Sequence, residues 1–247
     1  MAMAERIHMA PRRRWLLIAV VTLAALIGAA GFTSLGVWQV QRLHWKLNLI
    51  ERVDERVHAA PVTAPGPGAW PDISAERDEY RHVSLTGTFR NDDEVLIYTP
   101  SAYGPAYWVL TPLDRDDGTV IMINRGLVPE EFKDAATRPA PEGTQTVNGL
   151  LRISESKGWL FSRKNNPEER LWYRRDIGSI TQALGLVKAA PYFVDADEDS
   201  AGAWPLGGQT VVSFRNAHLS YALTWAALAL MCVVAWGLFI RVEWRRK

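Results

Sequence analysis

Apolar and polar positions are segregated along this chain rather than mixed. Trp15 to Gln41 and Asn216 to Ile240 carry no Asp, Glu, Lys or Arg, whereas the stretch between them is polar. Each run exceeds the roughly 20 apolar residues that a helix needs to cross a bilayer core of about 30 Å. The pattern predicts one membrane helix over 15–40, a second over 216–240 and an independent domain over 41–215. Short ends remain at 1–14 and 241–247.

Between the spans the periodicity changes twice. Leu43, Leu47, Ile50 and Val57 recur at helical spacing within 41–57. They predict an amphipathic helix leaving the membrane, or an ordinary surface helix of the domain. Pro61 to Gly68 holds three prolines and two glycines and predicts a linker. Strand-like runs then follow at Tyr80–Phe89, Glu94–Tyr98, Tyr107–Leu113, Thr119–Asn124, Gln145–Arg152 and Pro191–Asp195. Asp116-Asp117-Gly118 suits a hairpin turn, and Asp176 to Leu186 suits a helix that stops near Gly185. The expected fold is a membrane α + β protein. Two transmembrane helices flank a mainly antiparallel, barrel-like α+β domain outside the cytoplasm, and closure of the sheet hides its edges.

Charge orients this arrangement. The net charge of +1 conceals +3 on residues 1–14, +3 on 241–247 and therefore −5 between them. Basic clusters abutting both spans predict that both termini are cytoplasmic. The bias is clear at the second span, where four basic residues oppose Arg215 alone. It is weak at the first, where Arg42, Lys46, Arg52 and Arg56 lie on the far side. A cleavable signal peptide ending near Gly28-Ala29-Ala30 is the competing reading. The run stays uncharged past Ala30, however, and Trp15 and Trp38 bracket it like an aromatic belt. The partner this implies is a lipid bilayer. An acidic middle offers no basic face for nucleic acid.

Candidate chemistry is sparse. The only cysteine, Cys232, lies in the second span, so the domain has no disulfide and no thiol-based metal site. No HExxH, GxSxG or glycine-rich phosphate loop occurs. The acidic run Asp195 to Asp199 lacks calcium-loop spacing and reads as a solvated loop. His8, His44, His58 and His82 are scattered, and His82 reads as a surface residue.

His218 differs, because it stands just inside the second uncharged run. An ionisable side chain within a membrane segment is costly and points to function. Imidazole is a natural axial ligand for haem iron. Arg215 precedes it by one helical turn, where a cation would meet a haem propionate, and Arg42 is a second such cation. Trp38, Tyr221, Trp225 and Leu228 are candidates to wall an apolar slot between the helices. Alternatively, His218 sits at the interface, bonded to headgroups, Asn216 or a nearby carbonyl, and the aromatics form a belt.

The segment Leu35-Gly-Val-Trp-Gln-Val-Gln-Arg42-Leu-His-Trp-Lys46 resembles the end of the first membrane helix of the Surfeit locus protein one family, the cytochrome c oxidase assembly factors. The likeness continues through Tyr80-Arg81, Gly87-Thr-Phe89, Trp108-Val-Leu-Thr-Pro112, Asn124-Arg-Gly126 with Val128-Pro129, and Asn165-Asn-Pro167. It runs on through Trp172-Tyr-Arg-Arg175-Asp176 and Gly207-Gly-Gln-Thr210 to Arg215-Asn-Ala-His218-Leu-Ser-Tyr221-Ala-Leu-Thr-Trp225. Each motif is weak; their shared order is specific. Leu127 departs from the aromatic or bulky residue usual after Asn-Arg-Gly, a change expected to affect packing.

The resemblance implies a non-enzymatic protein that helps to build haem–copper oxidases. It binds haem a for insertion into cytochrome c oxidase subunit I, with haem a synthase as a further partner. The family's membrane histidine falls on His218. A scaffold that docks on an oxidase subunit without haem is the alternative. Asn124-Arg125-Gly126 and Asn165-Asn166-Pro167 are expected to serve turns rather than a partner surface. Few residues precede the first span and Glu5 is among them, so a bacterial inner membrane with a periplasmic domain is expected.

Overall fold

A computed structural model describes residues 11–101, 104–156, 163–168, 171–198, 204–210, 214 and 216–245. His8, Asp199 and Arg215 lie outside the described residues, as do the basic residues at 246–247. Two compact units emerge: a helical hairpin and a β-rich unit that begins at Arg52.

The helical unit consists of α1 (Pro11–His58) as far as Glu51, together with α4 (His218–Arg245), the last helix in the chain. Both have the length and composition of membrane spans. The first uncharged run and the amphipathic segment after it thus form one unbroken helix. No Gly or Pro stands between residues 37 and 60 to interrupt it. Its final turns belong to the β-rich unit, where Val53 is buried and Arg56 donates to the carbonyls of Glu79 and Glu76 at 3.2 and 2.8 Å.

The β-rich unit follows in chain order as β1 (Val62–Thr63), α2 (Ala75–Asp78), β2 (His82–Phe89), β3 (Val95–Ser101), β4 (Gly104–Asp114), β5 (Val120–Pro129), β6 (Thr144–Ile153), α3 (Ile177–Ala183) and β7 (Ala189–Ala196). The sheet order is β1-β2-β6-β7-β5-β4-β3, and a further pairing of Thr88 and Phe89 with Asp114 and Leu113 joins β2 to β4. That contact closes β2, β6, β7, β5 and β4 into a five-stranded barrel. Every pair in the barrel is antiparallel except β5 with β7. Each run expected to be a strand is one, and the turn at Asp116-Asp117-Gly118 is present, with Gly118 at φ +74°.

Alternation along the strands explains why β5 and β7 read as continuous apolar runs. Ile121, Ile123, Tyr192 and Val194 enter one core with Val83, Leu85 and Leu151. Met122 and Phe193, on the opposite face, enter a second core with Ile97, Trp172, Ile177 and Ile180, beneath α3. Strands buried on both faces lose the polar half of the period-two pattern. Asp176 caps α3, accepting from the Ser179 amide at 3.4 Å and its hydroxyl at 2.6 Å.

Four expectations need correction. The segment 61–68 is not a free linker. Val62 and Thr63 pair with Val83 and Ser84, and the Pro65 carbonyl accepts from Tyr192 Oη at 2.7 Å and Trp70 Nε1 at 3.0 Å. Asn124-Arg125-Gly126 is not a turn but the middle of β5, where Asn124 is buried. Asp195 is not solvated: it is buried in β7 and accepts from Asn124, Arg152 and Thr210 at 2.7–2.8 Å. His82 is no idle surface residue, since its two ring nitrogens face Ala59 O at 2.7 Å and Asp197 Oδ2 at 2.8 Å. Asn165, by contrast, does serve a turn. Its Oδ1 accepts from the amides of Tyr173 and Arg174, and its Nδ2 donates to the Arg174 carbonyl. Leu127 is buried, and its backbone exchanges both hydrogen bonds with Leu206 at 2.9 Å.

Candidate functional site

The site is built on the antiparallel seam between α1 and α4. Four contacts define its register. Arg14 Nε lies 3.1 Å from Glu243 Oε2. Trp236 Nε1 donates to Thr22 Oγ1 at 2.9 Å. Phe32 stacks on Trp225 with centroids 5.8 Å apart. His218 Nδ1 lies 2.8 Å from Gln39 Oε1. On α4 the seam positions His218, Ala222, Trp225, Ala229, Cys232, Trp236 and Glu243 recur every three, four or seven residues, the spacing that keeps one stripe against a neighbouring helix. Small residues allow close approach. A Cβ on Gly36 would sit 3.7 Å from Trp225 Cβ and 3.9 Å from the Ala222 carbonyl, and one on Gly28 would lie 3.3 Å from Cys232 Sγ.

His218 opens α4, where its amide approaches Asn216 Oδ1 at 3.4 Å, an N-cap arrangement. The side-chain partner is Gln39, which is only 8% exposed. An amide oxygen can only accept, so in this contact Nδ1 carries a proton, and in the neutral ring Nε2 then keeps its lone pair. Among the described residues Nε2 has no hydrogen-bond partner. This is the arrangement of a metal-binding histidine: one ring nitrogen held by an acceptor, the other free to ligate. The residues therefore fit a haem group, whose iron His218 would hold through Nε2. No group of three His, Cys, Asp or Glu side chains able to hold a bare metal ion occurs among the described residues.

The remaining predicted residues are dispersed around this pair. Trp225 lies in the seam, and its buried Nε1 finds no acceptor among the described residues. Trp38 and Tyr221 are more than half exposed, outside the seam. Arg42 is exposed too, with its guanidinium 3.9 Å over the Trp45 ring. Leu228 is half-buried. The slot expected between the helices is closed, because the Phe32–Trp225 stack and the Gly36–Ala222 approach fill it. Two residues were missed. Gln39 is a neutral amide within an apolar run; its only signal was an uncharged polar group inside a span. Lys46, 4.7 Å over the Phe214 ring, adds a cation close to the start of α4.

In the β-rich unit a cavity of about 590 Å³ is lined by Phe89, Arg125, Pro139, Asp197 and Trp204 among others. Two of its charged groups, Arg125 and Asp197, are engaged. Arg125 lies 3.6 Å from Glu94 and donates to the Pro139 carbonyl at 3.2 Å, and Asp197 is held by His82. Burial, with Arg138 adding to it, lowers the Arg125 pKa against the pull of Glu94.

Two apolar terminal helices and, between them in sequence, a closed five-stranded barrel define a membrane α+β protein, with His218 held by Gln39 in the helical unit. The chain belongs to the SURF1 family, whose model matches residues 26–230. It is 34% identical to Surfeit locus protein 1 of Rattus norvegicus over 222 residues, which cover 82% of this chain and 70% of that protein. Surfeit locus protein 1 of Homo sapiens is 33% identical over 82% of this chain and 72% of its own length. Surfeit locus protein 1 of Takifugu rubripes is also 33% identical, over 85% and 92%.

Proposed function

We propose that this protein is a non-enzymatic assembly factor for haem–copper cytochrome c oxidase, and that it holds haem a through His218 for insertion into oxidase subunit I. The observation that carries the reading is the His218–Gln39 contact, which leaves Nε2 without a partner among the described residues, at the start of a stretch with no Asp, Glu, Lys or Arg as far as Ile240. The bound group supplies the iron and the propionates; the chain supplies one ligand and cations. At about 100° per residue, Trp38 and Arg42 on α1 and Tyr221 on α4 fall on the same side of the antiparallel seam. That flank, rather than the closed interior of the hairpin, offers an apolar face with a cation at its outer edge. Arg42 and Arg215 are assigned to the propionates, and Trp38, Tyr221 and the edge of Trp225 to the macrocycle. His218 as the single protein ligand would hold the group without locking it in, which suits a protein that must release its cargo. Haem a synthase is the natural donor.

We assign the protein to a bacterial inner membrane, with both termini cytoplasmic and the barrel unit periplasmic. The basic residues flanking the spans support that orientation.

A second reading is a scaffold without haem. The closed seam favours it, because a hairpin packed from Arg14–Glu243 to Phe32–Trp225 is a complete anchor by itself. The two readings separate in one experiment. The protein is purified from cells that make haem a, and its absorption spectrum is compared with that of His218→Ala. A Soret band in the wild type that is lost in the variant supports the haem reading. Its absence from both, or its equal presence in both, leaves the scaffold.

A further inference from the structure

We propose that Gln39 is the positioning residue of this site: its side-chain oxygen fixes the tautomer of His218 that can bind iron and sets the electron richness of that imidazole. The inference rests on the haem reading above and names a residue of α1 that does not itself touch the metal.

The argument begins with the intrinsic preference of histidine. A neutral imidazole chooses which nitrogen carries its proton, and the hydrogen bond made by one nitrogen determines the state of the other. A histidine protonated on Nε2 cannot ligate through that atom. Gln39 Oε1, 2.8 Å from Nδ1, favours one choice: Nδ1–H donates, and the neutral ring keeps its lone pair on Nε2. Gln39 is itself held in place. It is 8% exposed, one turn from Gly36, where α1 approaches the Ala222 backbone closely. A buried acceptor in an apolar setting makes a stronger electrostatic contact than it would in water. The arrangement also couples the helices, since the ligand comes from α4 and its orienting group from α1.

The chemistry required at position 39 is that of a neutral acceptor. A carboxylate there would pull the Nδ1 proton further, enrich the imidazole and favour ferric iron. An apolar side chain would leave Nδ1 without a partner, freeing the ring to rotate and to change tautomer. Gln39 lies between these extremes, which suits a carrier that must hold haem and then let it go.

The test has two arms on the full-length protein in detergent. In the first, haem-free protein labelled with ¹⁵N-histidine is studied by long-range ¹H–¹⁵N correlation, with the His218 resonances assigned by their loss in His218→Ala. The expected result is an Nδ1–H tautomer in the wild type that shifts towards the Nε2–H form in Gln39→Leu. An Nε2–H tautomer in the wild type, or no change in Gln39→Leu, overturns the proposal. In the second arm, protein loaded in cells that make haem a is titrated potentiometrically. Gln39→Glu is expected to keep haem and lower the midpoint potential, and Gln39→Leu to lose at least half of the bound haem with unchanged circular dichroism. Haem held through His218 with equal potential and stoichiometry in all three proteins overturns the Gln39 role alone. A wild type without haem overturns both this role and the haem reading.

Discussion

Asn124 Nδ2 donates to Asp195 Oδ1 at 2.7 Å, joining β5 to β7 at their one parallel seam through two buried side chains. Asp195 also receives Arg152 Nη1 at 2.7 Å and lies 3.4 Å from Arg175 Nη1. Burial by itself would lower the Arg152 pKa, but Asp195, with Tyr80 and Glu79, more than offsets it, so the guanidinium titrates above its ordinary value. The carboxylate is thus a counterion shared by Arg152, on β6, and Arg175, in the segment before α3.

Asp195→Asn keeps the shape and removes the charge. It should cost about 3 kcal/mol of stability, because two largely buried guanidiniums lose the buried carboxylate they share and keep only the more exposed Glu79 and Glu155. Asn124→Ala removes one hydrogen bond and should cost less, about 1–2 kcal/mol. Denaturant unfolding of the detergent-solubilised protein measures both. Equal losses in the two variants would refute the counterion role.

Gly126 carries a different constraint. Its φ is +133°, and a Cβ there would lie 2.1 Å from the Leu206 carbonyl. Gly126→Ala must therefore strain the backbone and break the Leu127–Leu206 exchange, at a cost of more than about 2 kcal/mol. Gly118→Ala, at φ +74° but with open space around it, should cost about 1 kcal/mol. A melting temperature for Gly126→Ala equal to that of Gly118→Ala would remove the close-approach argument.

These contacts also show which parts of the molecule can be read from sequence. The spans are legible because uncharged length is a local property, and the strands because alternation is too. Closure into a barrel-like sheet is legible too, from the need to hide strand edges, but which strands close it is not, since the closing pair sets Phe89 against Leu113 and depends on the whole sheet having curled. Asp195 looked like the start of an acidic loop because its partners Arg152 and Asn124 lie 43 and 71 residues away. At the site, His218 stood out as an ionisable group in an apolar run. Gln39 did not, because its role exists only once α1 and α4 are in register, 179 residues apart in sequence.

His82 makes the stability of the β-rich unit depend on pH. Its two nitrogens face two acceptors, the Ala59 carbonyl and the Asp197 carboxylate, and only the doubly protonated ring satisfies both. Burial opposes that charge, but the two hydrogen bonds and the Asp197 charge outweigh it and raise the pKa above 6.5. A raised folded-state pKa contributes stability that is complete below the unfolded value and is lost as pH rises through the folded value. The melting temperature should therefore fall as pH rises above 6.5 and through the raised folded-state pKa, and His82→Gln should flatten that fall. An unchanged slope in His82→Gln would show that His82 contributes nothing to it.

The seam itself can be locked. A Cβ on Gly28 would stand 3.3 Å from Cys232 Sγ, close to the spacing across a disulfide. Cys232 is the only cysteine in the chain, so Gly28→Cys creates one possible intramolecular pair. Treatment with a membrane-permeable oxidant should remove both thiols from reaction with maleimide in Gly28→Cys, whereas the wild type retains its one. Two reactive thiols after oxidation would mean that α1 and α4 do not pack in this register. The locked hairpin also bears on where cargo is held. Haem against the outer flank does not require the helices to part, so oxidised Gly28→Cys should load as much haem as its reduced form. Haem that enters between the helices would require the seam to open, and loading would then fall on oxidation and recover on reduction.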